Sequence, residues 1–300
     1  MKNKKAFTLA EILITLMLVG VVAALTIPMF IEEFQKNKWT VTYKRTFAET
    51  FNALGRVALE EECAKSLTCT HIFDDPDQVK STKLFGDEMT KVMATSKVCG
   101  MENVDAKNGC FTHEIRNGKG SSQEQTLVQT MRPGTDVNFA NESAPFYTFI
   151  TQRGVAYALF SFGTNCLNGT GEYADLYKAA YVNNPNDDNN QMLSLCGFVI
   201  MDVNGKQAPN EWGRDVFGVW VTDRSVIGVY PFGGDFDARF GKGCNGTICC
   251  GTENSQMTQK QCPQDKPNCA DEEKEDVTVT VSDMRGCAAK IVKDGWVMKY

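Results

Sequence analysis

From Ile12 to Ile31 the chain runs twenty residues without a charge, enough to cross a bilayer as one helix. Past Ile31 the apolar positions thin out to intervals of three and four. Trp39, Tyr43, Phe47, Phe51, Leu54 and Ala58 recur in that rhythm, with Lys44, Arg45, Glu49 and Arg56 between them. This predicts an amphipathic helix with one buried stripe, continuing the first. A single helix from Phe7 to about Lys65 would be on the order of 90 Å long at ~1.5 Å per residue. Gly20 weakens it, and Pro28, which removes one backbone hydrogen bond, is expected to bend it. After the loop "HIFDDPDQ" a shorter helix is predicted, where Leu84/Phe85, Glu88/Met89 and Val92/Met93 recur at helical spacing. Gly-, Asn- and Ser-rich turns occupy the stretch from Gly100 to Gly120. From Pro145 the period changes to two. "FYTFITQRGVAYALFSFG" reads as two strands around a turn at Gln152–Gly154. "CGFVIMDV" and "VFGVWVTDRSVIGVYP" read as three more, the last two joined near Asp223–Ser225.

Composition adds a compartment. Twelve cysteines all lie beyond the apolar run: Cys63, Cys69, Cys99, Cys110, Cys166, Cys196, Cys244, Cys249, Cys250, Cys262, Cys269 and Cys287. Structural use of so many thiols points to disulfides in an oxidising environment. Adjacent Cys249–Cys250 do not match the paired spacing of zinc sites, and His71 and His113 have no partner at ligand spacing. The pairing itself stays open. The fold class expected is α+β: a long N-terminal helix, membrane-spanning then amphipathic, packed on an antiparallel sheet head with disulfide-stapled loops. A formal charge of −6 over 300 residues argues against nucleic acid as the partner, because phosphate binding wants a basic face.

Lys2, Lys4 and Lys5 precede the apolar run and would keep the amino terminus cytoplasmic, with the head outside. An ordinary secretory signal is cut behind its apolar core. Here Ala23 and Ala24 are followed by more apolar sequence and a helical pattern, so that reading is set aside. Glu11 is the anomaly, since an ionisable group at the edge of hydrocarbon calls for a partner. The string Lys5-Ala6-Phe7-Thr8-Leu9-Ala10-Glu11, followed by "ILITLMLVGVVAALTIP", resembles the leader junction of type IV prepilins and pseudopilins. The resemblance implies cleavage by a prepilin peptidase between Ala6 and Phe7, N-methylation of Phe7, and retention of the apolar helix. Ala6 stands where the family usually has Gly; alanine is the next smallest residue, so cleavage is expected to survive. Pro28 falls where pilins carry a kinking proline. Glu11 would pair with the terminal amine of Phe7 on a neighbouring subunit and set axial register. The domain boundaries implied are a leader at 1–6, a helix at 7–65 with its membrane and assembly segment at 7–31, and an extracytoplasmic head at 66–300.

In the head, "DVNGKQAPNEWGRDVFG" gathers Asp202, Asn204, Asn210, Glu211 and Asp215 in a loop punctuated by Gly205, Pro209 and Gly213. Calcium takes six to eight such oxygens, and Asp202, Asn204, Asn210 and Asp215 are the candidate ligands. The order is not that of an EF-hand. A plain turn, with Asn204-Gly205 in left-handed backbone and Asp202 bonding local amides, accounts for the same residues. The loop also resembles one recurrent in pilin-like proteins, as does the closing "GWVMKY", and some pseudopilins hold calcium in terminal loops. "NNPNDDNNQ" (Asn183 to Gln191) and the acidic "PQDKPNCADEEKED" (Pro263 to Asp276) read as surface loops. The tail "CNGTICCGTENSQMTQKQCPQDKPNC" reads as a disulfide-stapled loop. No nucleophile motif, P-loop or dinucleotide fingerprint occurs, so no enzyme and no required cofactor are expected.

The function these readings imply is a structural subunit of a bacterial type IV pilus or type II secretion pseudopilus. Its partners would be other pilin or pseudopilin subunits, the prepilin peptidase, the inner-membrane assembly platform and, before assembly, membrane lipid. The alternative is a membrane-anchored or pilus-tip minor pilin acting as an adhesin.

Overall fold

In a computed structural model of the chain, the apolar run and the amphipathic stripe form one uninterrupted helix, α1 (Leu9–Glu60), about 78 Å long at ~1.5 Å per residue. The structure describes residues 8–64, 66–102, 108–112, 114–117, 124–125, 127, 146–167, 190–224, 226–234, 250, 256–261, 275–280, 284–298 and 300. Pro28 lies inside α1. Buried positions appear only in its second half, at Trp39, Thr40, Tyr43, Thr46, Thr50, Ala53, Leu54, Val57 and Ala58. Phe51, expected in the stripe, is 47% exposed, and threonines share the buried face instead. Thr40 and Thr50 tolerate burial because each hydroxyl donates to the carbonyl four residues back, Lys36 O at 2.8 Å and Thr46 O at 2.9 Å. The helix stops short of Lys65 in a Schellman turn. Glu62 takes φ 59, Cys63 N donates to Ala58 O at 2.8 Å and Glu62 N to Leu59 O at 3.1 Å. A disulfide between Cys63 and Cys69 follows.

Asp77 caps the second helix, α2 (Gln78–Val92), by accepting from Val79 N and Lys80 N. The strands are β1 (Thr95–Gly100), β2 (Ile115–Arg116), β3 (Glu124–Gln125), β4 (Tyr147–Thr151), β5 (Ala156–Ser161), β6 (Leu195–Asp202), β7 (Val216–Arg224), β8 (Val226–Pro231), β9 (Gln256–Gln261) and β10 (Glu275–Thr280); α3 (Cys287–Lys293) closes the chain. Six strands form one antiparallel sheet in the order β1-β4-β5-β6-β7-β8, with β2–β3 and β9–β10 as separate pairs. The five strands expected after Pro145 are β4 to β8; β1 adds an edge that the period-two reading does not contain.

Register explains how the sheet meets the helices. Tyr157 pairs with Met201, and Met201 with Phe217, so all three point to one face. Thr50 Oγ1 lies 3.4 Å from Tyr157 Oη and 3.7 Å from Met201 Sδ, and Tyr43 stacks on Phe217 at 4.2 Å between ring centroids. That face therefore packs on α1. The opposite face carries Phe160, Phe198 and Trp220 in register, joined by Phe146, Phe162 and Phe232, all fully buried or nearly so. Gly218 makes room there, since a Cβ on it would sit 2.1 Å from the Phe232 ring. On the helix side Gly86 of α2 lies against Tyr147, whose ring a Cβ would meet at 2.0 Å, and Tyr147 Oη donates to Asp87 Oδ1 at 2.9 Å.

Candidate functional site

Thr8 and Glu11 open α1 as a reciprocal capping box. Thr8 N donates to Glu11 Oε2 at 2.8 Å, Thr8 Oγ1 donates to the same oxygen at 2.9 Å, and Glu11 N donates to Thr8 Oγ1 at 3.3 Å. Two of the free amides at the helix start are thus satisfied within the chain. The carboxylate stays exposed at the amino end of a column of bare apolar side chains: Leu9 is 78% exposed, Met17 73% and Met29 74%. The most apolar stretch of α1 has no buried residue, and α1 is long and apolar enough to cross a membrane. Thr15 and Thr26 turn their hydroxyls back to Ile12 O and Val22 O, both at 2.9 Å, so neither presents an unpaired donor on that surface. Ala6 and Phe7 lie outside the described residues.

The β6–β7 turn brings Asp202 and Asp215 together. Asp202 ends β6 and pairs with Val216, while Val203 N donates to Asp215 O at 2.8 Å. Both aspartates are fully buried. Asp215 accepts from Glu211 N at 2.7 Å and Asn210 N at 2.9 Å. Asp202 Oδ1 accepts from Asn204 N at 3.3 Å, and its Oδ2 meets no donor. Burial, and then the neighbouring Asp215 charge, push the Asp202 carboxyl well above its ordinary range. Burial pushes Asp215 up to about 6, against hydrogen bonds from Glu211, Asn210 and Asn204 that pull it down. The turn is clamped from outside by β2: Arg116 N donates to Asn210 O and Trp212 N to Arg116 O, both at 2.9 Å. Glu211 does not join the aspartates; it accepts from Arg214 at 2.6 Å, whose guanidinium sits 5.2 Å from the centre of the Trp39 ring.

In the sequence, the exposed apolar helix follows directly on a basic leader and carries Glu11 in its first turn. Residues 1–27 match the prokaryotic N-terminal methylation motif, the type IV pilin signature. Comparison of the chain with curated proteins and with solved structures gave no match. The methylation motif spans the basic leader, Ala6, Phe7, Glu11 and the apolar run as far as Ile27. Pro28 lies one residue beyond it. The motif ends before the head begins, so the head's architecture rests on its own geometry.

Of the cysteine candidates, Cys63–Cys69, Cys99–Cys110, Cys166–Cys196 and Cys250–Cys287 are bonded, and no described cysteine is free. Cys244, Cys249, Cys262 and Cys269 lie outside the described residues, as does most of the tail expected to be stapled. Cys250 ties that tail to α3. Sequence reasoning missed Asp223. Its position in the sequence implies no more than a hairpin turn, yet its Oδ2 accepts from Ser66 Oγ, Leu67 N and Thr68 N, each at 2.7 Å. That fastens the loop after α1 to β7. No local signal announces it, because the donors lie more than 150 positions away.

Proposed function

We propose that this chain is a structural subunit of a filament of the type IV pilus or type II secretion pseudopilus kind. Its precursor sits in the bacterial inner membrane with the head outside the cytoplasm. A prepilin peptidase cuts between Ala6 and Phe7, the new amino group is methylated, and the assembly platform draws the chain into a polymer with other pilin or pseudopilin subunits. Removal of residues 1–6 takes away three lysines and moves the formal charge from −6 to −9, which favours solubility of the exposed head.

The observation that carries this reading is the bare half of α1. Roughly 25 cal/mol per Å² of apolar surface makes such a column untenable in water, so it must sit in lipid or against like columns. The second half of the same helix is locked into the head by Trp39, Tyr43 and Leu54. A head rigidly joined to an unpartnered apolar rod suits head-to-tail polymerisation, in which contacts do not close and a helical filament grows. Glu11 would then meet the Phe7 amine of a neighbour inside the bundle. Such a pair is near break-even overall, whereas stranding one charge costs roughly 3–5 kcal/mol, so register is enforced.

N-terminal mass spectrometry of the native protein tests the processing. The expected result is a chain beginning with methylated Phe7; a start at Met1, or one beyond Ala24, overturns it. Purified filaments composed mainly of this chain support the structural role. Presence solely at filament tips, far below the other subunits in amount, would make it a minor tip pilin or a membrane-anchored binding module instead.

A further inference from the structure

The β6–β7 turn holds more buried oxygen than its hydrogen bonds can satisfy. Asp202 Oδ2, Asn204 Oδ1 and Asn210 Oδ1 are all buried and meet no donor. They belong to one short loop, beside the Asp215 carboxylate. The Asn204 amide nitrogen is held by Gln207 O at 2.9 Å and Ala208 O at 3.2 Å, which fixes which end of that amide is the orphan. A buried carboxylate oxygen without a donor is expensive, and two buried carboxylates side by side are more so. Among the described residues no basic side chain pairs with either aspartate. Arg214 is engaged by Glu211 and Trp39, and Lys206 Nζ reaches Gly109 O at 3.0 Å. The plain-turn reading explains Asp215, whose two oxygens cap backbone amides. It leaves the other three oxygens without a purpose.

We propose that the β6–β7 turn binds one hard divalent cation of the calcium class through Asp202, Asn204, Asn210 and Asp215. Two carboxylates balance the charge of such an ion, and the amide oxygens supply neutral ligands of the kind calcium accepts in flexible loops. The donors are all oxygen, which disfavours zinc and copper. Among the described residues no three His, Cys, Asp or Glu side chains gather around a common point, so a transition-metal cage is not what this loop offers. The ion would lock β6 to β7 at the foot of the sheet, next to the β2 clamp.

The test uses the full chain in detergent micelles, stripped with EDTA. Calorimetric titration with calcium chloride is expected to show one ion per chain and a rise in Tm of several degrees. Asp202→Asn and Asp215→Asn should each weaken calcium binding by about two orders of magnitude. In EDTA, Asp202→Asn should melt no lower than the native chain, because one of two facing charges is gone. No heat and no change of Tm on adding calcium to the stripped native chain overturns the proposal, whatever the variants do. Calcium binding of native strength in both variants overturns the assignment of ligands. An equal response to magnesium at the same concentration overturns the calcium class.

Discussion

Tyr43 is fully buried on α1 and carries a polar atom it does not use. Its ring stacks on Phe217 and tilts against Trp296 at 5.6 Å, while its hydroxyl is buried with no hydrogen-bond partner. Tyr43→Phe keeps the rings and removes the orphan, so stability is expected to hold or to rise by up to about 1 kcal/mol, read as a shift in denaturation midpoint. Burial also pushes this phenol well above its ordinary range, as it does Tyr157. The sign follows. Above pH ~10 the unfolded chain gives up a proton that the folded chain keeps, so stability present below that pH falls as pH rises through it. Tyr43→Phe should flatten that alkaline loss relative to the native chain between pH 9 and 11, and equal slopes would contradict it. The aromatic itself was readable from spacing alone. Its missing partner was not, because that depends on Phe217 and the C-terminal Trp296, far away in sequence.

Among the elements, α2 sets two rules against each other. Replacing a mid-helix glycine by alanine gains up to ~1 kcal/mol of helix propensity. At Gly86, however, the added Cβ would lie 2.0 Å from the Tyr147 ring, and Tyr147 is held by its bond to Asp87. Overpacking of this kind costs about 1–3 kcal/mol or more, so Gly86→Ala is expected to lower Tm despite the better helix former; a raised Tm would show that β4 yields easily. The same conflict marks the limit of what pattern could tell. Helices α1 and α2 stand out because an apolar run or a period of 3.6 persists over many residues, and strands β4 to β8 because each is a short run rich in β-branched and aromatic residues, with β5 to β7 buried on both faces. Strand β1 has no such run: "TSKVCG" is an edge of mixed polarity, exposed or half-exposed at every position, with Val98 itself 48% exposed. Its strand character comes from pairing with β4. Phe51 fails the stripe for a related reason. The buried face of α1 is set by where the sheet and α2 lie, and there Thr50 fits against Tyr157 of β5 and Met201 of β6, on a face that Thr46 and Ala53 share and Phe51 does not. At the β6–β7 turn the oxygen-rich composition was legible, but burial and the lack of donors became visible only once the strands placed Asp202 beside Asp215.

For the whole molecule the decisive question is what Glu11 does, since two roles meet on one carboxylate. Within the chain it closes the capping box with Thr8; between chains it would hold a neighbour's amine. Two substitutions separate them. Glu11→Gln can still close the box, because glutamine serves at that position, but it carries no charge. Thr8→Ala keeps the charge and loses the capping hydroxyl, at a cost of about 1 kcal/mol to the helix start. If register is set between chains, Glu11→Gln should leave the helix content of the micellar subunit unchanged. Filament yield should then fall on the order of 100-fold or more, as roughly 3–5 kcal/mol for a stranded amine implies. Thr8→Ala should assemble near the native level. Sedimentation and electron microscopy of chains shown by mass to begin at the same residue would measure both. Equal loss in the two variants would assign Glu11 to the cap, and native assembly by Glu11→Gln would remove its charge from the mechanism. The asymmetry is expected because a cap stabilises one turn of one helix, whereas a buried amine recurs at every subunit the filament adds.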